Sequence, residues 1–265
     1  TQVMPEEENS LVVEAVGHQW WFEFNYPTEE VVTANELHLP EDTDVIVKIG
    51  SQDVLHSFWI PKIAGKVDMV PNHENELYIK ADDPGLYYGQ CAEFCGIVHA
   101  MMRFRVIVHT EEDYQNWLQE MRTPPEKLAS GSDEDEGRKL FVGNCSMCHS
   151  YDSYKKGAYT KEIVSQYNRW EEWKNDKENS SIVSAPNLTN FGNRITIGAG
   201  IKENNYENLV KWIENPDAIK LGTRMKNHAS IYKNENKLTN EQINQIAKYL
   251  LSLKPSMESS ATYNK

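Results

Sequence analysis

Hydrophobic and polar positions alternate over short stretches in the first half of the chain. In MRFRVIV at 102–108 every second residue is apolar, which is typical of a strand with one buried face. Three further stretches are short and rich in β-branched residues: 11–16, 44–50 and 74–81. Turn signals such as DPG at 83–85 separate them. Many short strands with turns between them predict a β-sandwich or a β-barrel.

Helical spacing replaces this alternation in three places. A capping-box pattern of Thr110 and Asp113 predicts one helix, and a similar pattern of Thr239 and Gln242 predicts another. Between them, a third helix is expected from Asn205 until a proline stops it. The apolar faces of the three helices comprise Tyr114, Trp117, Leu118 and Met121; Tyr206, Leu209, Val210 and Ile213; and Ile243, Ile246, Ala247 and Leu250.

The change from strands to helices coincides with a hydrated connection. Residues 122–136 read RTPPEKLASGSDEDE, where two prolines and a Ser/Gly/acidic run indicate a linker. We therefore predict a β domain at 1–122, a linker at 123–136 and a helical domain at 137–265. Up to residue 125 the chain has 7 Lys and Arg against 22 Asp and Glu, a net charge of −15, whereas the remainder has a net charge of +2.

Composition narrows the classes of partner. A net charge of −13 argues against nucleic-acid binding, which requires a basic surface. No run approaches the roughly 18 apolar residues that a membrane span needs.

The helical half contains the pattern C-x-x-C-H at Cys145, Cys148 and His149. This spacing allows two thioether bonds to one haem, with the histidine beneath the iron. A thioredoxin-like redox pair is the alternative, but it requires a βαβ setting, and helix signals flank this segment. A second axial ligand is expected, and Met225 is favoured over His228 and Met257. Met225 lies in LGTRMKN, which is predicted to be an irregular loop just after a helix.

The β half contains CAEFCGIVHAMM at 91–102. A disulfide would leave His99 and Met102 without a role, and zinc has no use for a thioether. Copper is selected by soft thiolate and thioether ligands. His56 in LHSFWIP, predicted to come right after a strand, is the strongest candidate for a more distant histidine ligand, ahead of four others: His18, His38, His73 and His109.

Residues 137–254 resemble class I cytochromes c. The likeness rests on GRKLFVGNCSMCH, on the proline-containing SAPNLTNFGNR at 184–194, and on the terminal IAKYLLSL, in which Tyr249 is expected to pack on the first helix. The segment at 151–184 is longer than this resemblance requires. It is either an additional packed helix or a docking surface.

The β half resembles subunit II of cytochrome c oxidase. The residues that carry the likeness are C-x-E-x-C-G-x-x-H-x-x-M, the upstream H-S-F-W-x-P, the aromatic GHQWWFEFNYP at 17–27 and KVDMVP at 66–71. The resemblance implies an all-β cupredoxin-like Greek-key barrel followed by an all-α cytochrome c domain, as in caa3-type oxidases.

The same resemblance implies the site residues. The dinuclear copper centre CuA would be bound by His56, Cys91, the Glu93 carbonyl, Cys95, His99 and Met102. The Glu93 carboxylate would reach a Mg²⁺ ion at the interface with subunit I. Electrons would enter through Trp20, near Asp68, although Trp20-Trp21-Phe22 replaces the commoner W-x-W pattern. Haem c would be held by Cys145, Cys148, His149 and Met225.

The implied role is electron input to a haem–copper oxidase. The chain itself would be an electron carrier without the oxygen-reducing site. Subunits I and III would be its partners, and its donor a cytochrome c or a quinol–cytochrome c reductase complex. It would lie on the outer face of the bacterial cytoplasmic membrane, anchored by an N-terminal hairpin that this sequence does not include. A CuA-bearing nitric oxide reductase subunit and a copper-delivery protein are the alternatives.

Overall fold

A computed structural model describes residues 5–151 and 185–255, which form two compact units. The first ends at Glu120 and the second begins at Met121. Most of the predicted insertion at 151–184 therefore lies outside the described residues, as does Met257. Within the described ranges, no helix has the length and apolar character needed to cross a bilayer.

The first unit is built from two five-stranded sheets. The strand order is β3-β2-β1-β5-β8 in one sheet and β4-β10-β9-β6-β7 in the other. Strands β1 to β10 are, in order, Leu11–His18, Trp21–Tyr26, Val31–Ala34, Glu36–Pro40, Val45–Ser51, His56–Trp59, Lys66–Met69, Asn75–Ile79, Gly85–Cys91 and Arg103–His109. The four strands predicted from the sequence are all present, and the prediction of an all-β first unit is confirmed.

An aromatic core joins the two sheets. Phe22 from one sheet meets Phe58 and Phe104 from the other, and all three side chains are fully buried. The ring centroids of Phe22 and Phe104 lie 4.7 Å apart, and those of Phe58 and Phe104 lie 5.1 Å apart. A Cβ at Gly89 would come within 2.1 Å of the Phe104 ring, so only glycine allows this ring to lie against strand β9. The core thereby fixes the strands that flank the cysteine loop.

A helix, α1 (Glu111–Arg122), closes the end of the first unit. Thr110 accepts a hydrogen bond from the backbone N–H of Asp113, as its capping pattern predicted. The Trp117 ring stacks on His38 at 4.3 Å, and His38 Nδ1 lies 2.8 Å from His109 Nε2. Both histidines are buried. Burial lowers the pKa of His109 to about 4 and that of His38 well below its usual range.

The second unit is helical, with one small two-stranded sheet. Its helices are α2 (Asp133–Asn144), α3 (Tyr206–Glu214), α4 (Arg224–His228) and α5 (Asn240–Ser252), and its strands are β11 (Thr196–Ile197) and β12 (Lys202–Glu203). The capping box at Thr239 and Gln242 is confirmed. Helix α2 begins inside the range predicted as a linker, because the Ser132 side chain caps it and the acidic residues of its first turn favour the positive end of the helix dipole.

Helices α2 and α5 cross at close range. A Cβ at Gly137 would lie 2.0 Å from the Gln245 carbonyl oxygen, so the crossing requires glycine. The Phe141 and Tyr249 rings lie 5.5 Å apart at this crossing, and both are buried. The packing role expected for Tyr249 is therefore confirmed.

We expect the free energy of unfolding to decrease as the pH falls from about 6.5 towards about 4. In this window a neutral buried histidine is protonated only when the chain unfolds, so the unfolded state binds more protons. For His109 the loss reaches about 3 kcal/mol. Chemical denaturation at several pH values should show it. The double replacement His38→Phe with His109→Phe should flatten this dependence, whereas His73→Gln, at an exposed histidine, should leave it unchanged.

Candidate metal and haem sites

The loop at 91–102 is held closed at its two ends. Cys91 is the last residue of β9, Met102 directly precedes β10, and the Cys91 N–H donates to the Met102 carbonyl at 2.9 Å. Inside the loop, a single 3-10 turn spans His99–Met101. The ladder between β9 and β10 thus brings the first and last candidate ligands of the loop together.

The two loop thiols lie side by side without a covalent bond. Cys91 Sγ and Cys95 Sγ are 3.8 Å apart, whereas a disulfide requires about 2.05 Å. Both side chains are buried, at 5% and 3% exposure. The disulfide interpretation of this pair is therefore wrong for this structure.

Four further donor atoms surround the sulfur pair. His56 Nδ1 lies 3.9 Å from Cys91 Sγ, and His99 Nδ1 lies 3.6 Å from Cys95 Sγ. Met102 Sδ is 3.8 Å from Cys95 Sγ, and the Glu93 carbonyl oxygen is 3.2 Å from Cys91 Sγ. The structure therefore brings together all six candidate copper ligands. A set of two thiols, two imidazoles, a thioether and a carbonyl suits copper, which prefers soft sulfur and imidazole donors.

Electrostatics prepare this site for a cation. The interaction with Cys95, supported by His56, lowers the pKa of the Cys91 thiol to about 3, so Cys91 is a thiolate at neutral pH. Burial opposes a charge on His56, but its hydrogen bond with Asp53 and its contact with Cys91 together raise the pKa of this imidazole. The sequence predicted His56 to follow a strand, and it is instead the first residue of β6.

Asp53 supports His56 and was not identified from the sequence. Asp53 Oδ1 lies 2.8 Å from His56 Nε2, which leaves Nδ1 directed at the sulfur pair. Metal-bound histidines commonly donate their second ring nitrogen to a carboxylate in this way. The only signal in the sequence is the spacing of three residues in DVLH, which is too common to be specific.

Trp20 and Trp21 have different environments. Trp21 is 7% exposed and stacks on His18 at 4.1 Å. Trp20 is partly exposed and donates its Nε1–H to the Cys95 carbonyl at 2.9 Å. Trp20 is thus the one of this pair that is hydrogen-bonded to the cysteine loop. Asp68 lies on β7, and its Oδ1 is 3.7 Å from Lys66 Nζ.

The backbone carbonyl and the side-chain carboxylate of Glu93 have different partners. Its carbonyl oxygen is close to Cys91 Sγ, whereas its carboxylate Oε1 accepts a hydrogen bond from the Phe94 N–H at 3.1 Å. Phe94 is 75% exposed, so this carboxylate lies at the surface side of the loop.

The haem motif lies in a turn rather than on a helix. Cys145 caps α2, and the N–H groups of Cys148 and His149 both donate to the Cys145 carbonyl. His149 Nδ1 donates to the Pro186 carbonyl at 2.8 Å, which leaves Nε2 for a metal. Burial lowers the pKa of His149, so the imidazole is in its neutral, ligating form. The residues of this turn therefore fit a covalently attached haem.

Met225 lies in helix α4, where an irregular loop was expected. The helix forms because the Thr223 side chain accepts a hydrogen bond from the Lys226 N–H. Its partly buried position is compatible with a ligand role, which remains a prediction.

Two family models match separate parts of the chain. Residues 28–110 match "Cytochrome C oxidase subunit II, periplasmic domain", and residues 134–254 match "Cytochrome c". The expected order of a cupredoxin-like domain and a helical cytochrome c domain is therefore confirmed. The first family implies CuA and the second implies haem.

Similar curated proteins carry the name cytochrome c oxidase subunit 2. The protein of Alkalihalophilus pseudofirmus is 32% identical, over 93% of this chain and 62% of its own length. That of Bacillus sp. strain PS3 is 34% identical, over 94% and 64%. The chain thus spans less than two thirds of these relatives. Among solved structures, the periplasmic domain of subunit II of cytochrome oxidase of Bradyrhizobium japonicum matches at 28% identity, with a TM-score of 0.42, over 44% of this chain and 95% of that one.

Gly17→Ala should disturb the metal site from behind. A Cβ at this position would lie 2.9 Å from His56 Cδ2 and 3.1 Å from Met69 Sδ. We expect a destabilisation of about 1–3 kcal/mol from overpacking, together with weaker copper binding. Thermal unfolding and copper titration of the purified chain would measure both effects. Gly65→Ala is the matched control, because nothing lies within 4 Å of its added carbon. Equal behaviour of the two variants would contradict the prediction.

Proposed function

We propose that this chain, a homologue of cytochrome c oxidase subunit 2 in which a subunit II domain precedes a cytochrome c domain, passes electrons into a haem–copper terminal oxidase. The observation that carries the proposal is the convergence of six soft and imidazole-type donors in a chain that also contains a haem-attachment turn. Each of these two features suits an electron-carrying centre, whereas a structural zinc protein needs neither the thioether nor the haem motif.

The proposed CuA ligands are His56, Cys91, the Glu93 carbonyl, Cys95, His99 and Met102. When bound, CuA would accept and release one electron, shared between two coppers. Haem c would likewise accept and release one electron at its iron. The chain's own contribution is positional. The ladder between β9 and β10 fixes the loop, and burial of the thiols excludes water. A ligand set held in this way would keep the reorganisation energy of electron transfer small.

The haem c ligands in this proposal are Cys145, Cys148, His149 and Met225. The Pro186 carbonyl accepts the hydrogen bond of His149 Nδ1 and so orients this ring, which would leave Nε2 to bind the haem iron. A histidine–methionine pair raises the reduction potential of a c-type haem, which suits a carrier that receives electrons from a respiratory donor.

Electrons would pass from an external donor to haem c, then to CuA, and then to haem a of subunit I, where oxygen is reduced to water. Trp20 is the proposed contact through which electrons reach CuA, with Asp68 as a second candidate residue, and the hydrogen bond of Trp20 to the Cys95 carbonyl supports this role. The Glu93 carboxylate would bind Mg²⁺ at the subunit I interface.

Subunits I and III, and a cytochrome c or quinol–cytochrome c reductase donor, are the partners in this proposal. The chain would lie at the outer face of the cytoplasmic membrane, held there by an N-terminal membrane hairpin. The match to a periplasmic domain supports this location.

Spectroscopy of the copper-loaded, haem-attached chain tests the function directly. We expect two coppers per chain, a mixed-valence copper signal in electron paramagnetic resonance, and c-type haem absorption bands. A single copper per chain would instead favour a copper-delivery protein. A colourless, zinc-loaded first unit would contradict the proposal. In the assembled complex, consumption of nitric oxide rather than oxygen would identify a nitric oxide reductase.

Met225→Ala should change the haem and leave the copper unchanged. Loss of the thioether is expected to lower the haem reduction potential and to shift the absorption spectrum, because a histidine–methionine pair keeps the potential high. Redox titration would measure the potential. Met147→Ala is the control, since this side chain is 84% exposed between the two haem cysteines. An unaltered spectrum in Met225→Ala would transfer the ligand role to another residue, such as His228.

A further inference from the structure

The turn that joins β1 to β2 is hydrogen-bonded on one side to Asp53, the partner of His56, and on the other side to the cysteine loop. On one side, the Gln19 backbone N–H donates to Asp53 Oδ2 at 2.7 Å, and Asp53 Oδ1 lies 2.8 Å from His56 Nε2. The Val54 N–H also donates to Asp53 Oδ1, at 2.7 Å. The turn is thereby tied to a candidate copper ligand.

On the other side, the turn is tied to the cysteine loop by two side chains. Gln19 Nε2 donates to the Cys95 carbonyl at 2.8 Å, and Trp20 Nε1 donates to the same oxygen at 2.9 Å. A carbonyl oxygen has two lone pairs, and both are used here. The Gln19 amide therefore lies beside the indole and shares its acceptor.

Gly96 makes this close approach possible. It has a φ of +118°, and a Cβ at this position would lie 3.0 Å from Trp20 Cζ2 and 3.2 Å from Gln19 Nε2. The residue after Cys95 must therefore leave space for both donors, and a side chain at this position would push Trp20 and Gln19 away from the loop.

We propose that Gln19 and Asp53 are positioning residues that hold the Trp20 indole in its hydrogen bond to the Cys95 carbonyl. The inference rests on the proposed function, in which Trp20 passes electrons to CuA. Asp53 fixes the backbone of the turn relative to His56, and the Gln19 amide fixes its side chains relative to Cys95. The indole, one histidine ligand and one cysteine ligand then keep a constant separation. Electron transfer requires such constancy, because its rate depends steeply on the distance and the contact between the groups.

An ordinary structural role makes a different prediction. If these hydrogen bonds only stabilise the turn, their loss would lower the melting temperature and leave the indole contact in place. The two roles are separated by a readout specific to Trp20, which is the exchange rate of its Nε1–H with solvent, followed by nuclear magnetic resonance.

Gln19→Leu is the principal variant, because it removes the amide donor and retains the bulk of the side chain. Loss of one hydrogen bond, about 1 kcal/mol, should reduce the ratio of aligned to released indole about fivefold. We expect Trp20 Nε1–H exchange to accelerate by that factor in the metal-free chain. Electron transfer from flash-reduced haem c to the copper centre should slow in the loaded chain, by at most the same factor, with an unchanged copper spectrum. Gln19→Ala provides the same loss in a smaller residue if leucine is not accommodated.

Asp53→Asn tests the other tie. Its amide oxygen can still accept from His56 and Val54, while its NH₂ group faces the Gln19 N–H and cannot accept from it. Faster indole exchange is again expected. Gln115→Leu and Asp82→Asn are the controls, because they make the same chemical changes outside this network.

The outcomes separate the inference from the function on which it rests. An unchanged indole exchange rate in folded Gln19→Leu would overturn the inference, whatever happens to the transfer rate. Faster indole exchange with unchanged electron transfer would support the positioning by Gln19 and contradict the electron-entry role proposed for Trp20. A failure of the proposed function would appear elsewhere, as a missing mixed-valence copper signal in the unsubstituted chain.

Discussion

Two buried sulfur atoms that remain unbonded at 3.8 Å are the constraint on which the first unit is organised. Thiols at this separation would readily approach and oxidise if the loop were free to move. The distance is maintained because Cys91 ends one strand, Met102 leads into its antiparallel neighbour, and the hydrogen bond between them closes the loop. The aromatic core beneath these strands supports their spacing. The contacts that stabilise the two sheets therefore also maintain the geometry of the site.

The negative charge of the Cys91 thiolate is partly compensated by the groups around it. A buried thiolate at Cys91 is costly unless its negative charge is compensated. Neighbouring hydrogen-bond donors stabilise it, and so does His56, whose raised pKa favours the protonated imidazole. Asp53 completes the series, because its carboxylate favours a proton on the far nitrogen of that histidine. A cation entering the site would displace protons rather than reorganise side chains.

Sequence reasoning located the donors because their chemistry is local and unusual. Cysteine, histidine and methionine within one short loop leave few interpretations, and the alternation at 102–108 predicted that a strand follows this loop directly. Gln19, Asp53 and Gly17 could not be identified in this way. Their roles depend on contacts between segments that only the sheet topology brings together, and their residue types are common.

Side-chain caps explain why two segments predicted to be irregular are helical. Met225 was expected in a loop, yet the Thr223 hydroxyl is enough to start a short helix there. The acidic run after Gly131 was read as a hydrated linker, but the same charges stabilise the first turn of α2 once Ser132 caps it. Composition alone does not distinguish a solvated linker from a well-capped helix.

The hydrogen bond from His149 to Pro186 has a consequence for the evolution of the chain. Beside it, the Leu188 N–H donates to the Ser150 carbonyl at 2.9 Å, so the two ends of the intervening stretch are joined at their base. The entropic cost of closing a loop grows only slowly with its length, by about 0.6 kcal/mol for each doubling. Residues can therefore be gained or lost between these two points at little cost in stability and without changing the orientation of the histidine.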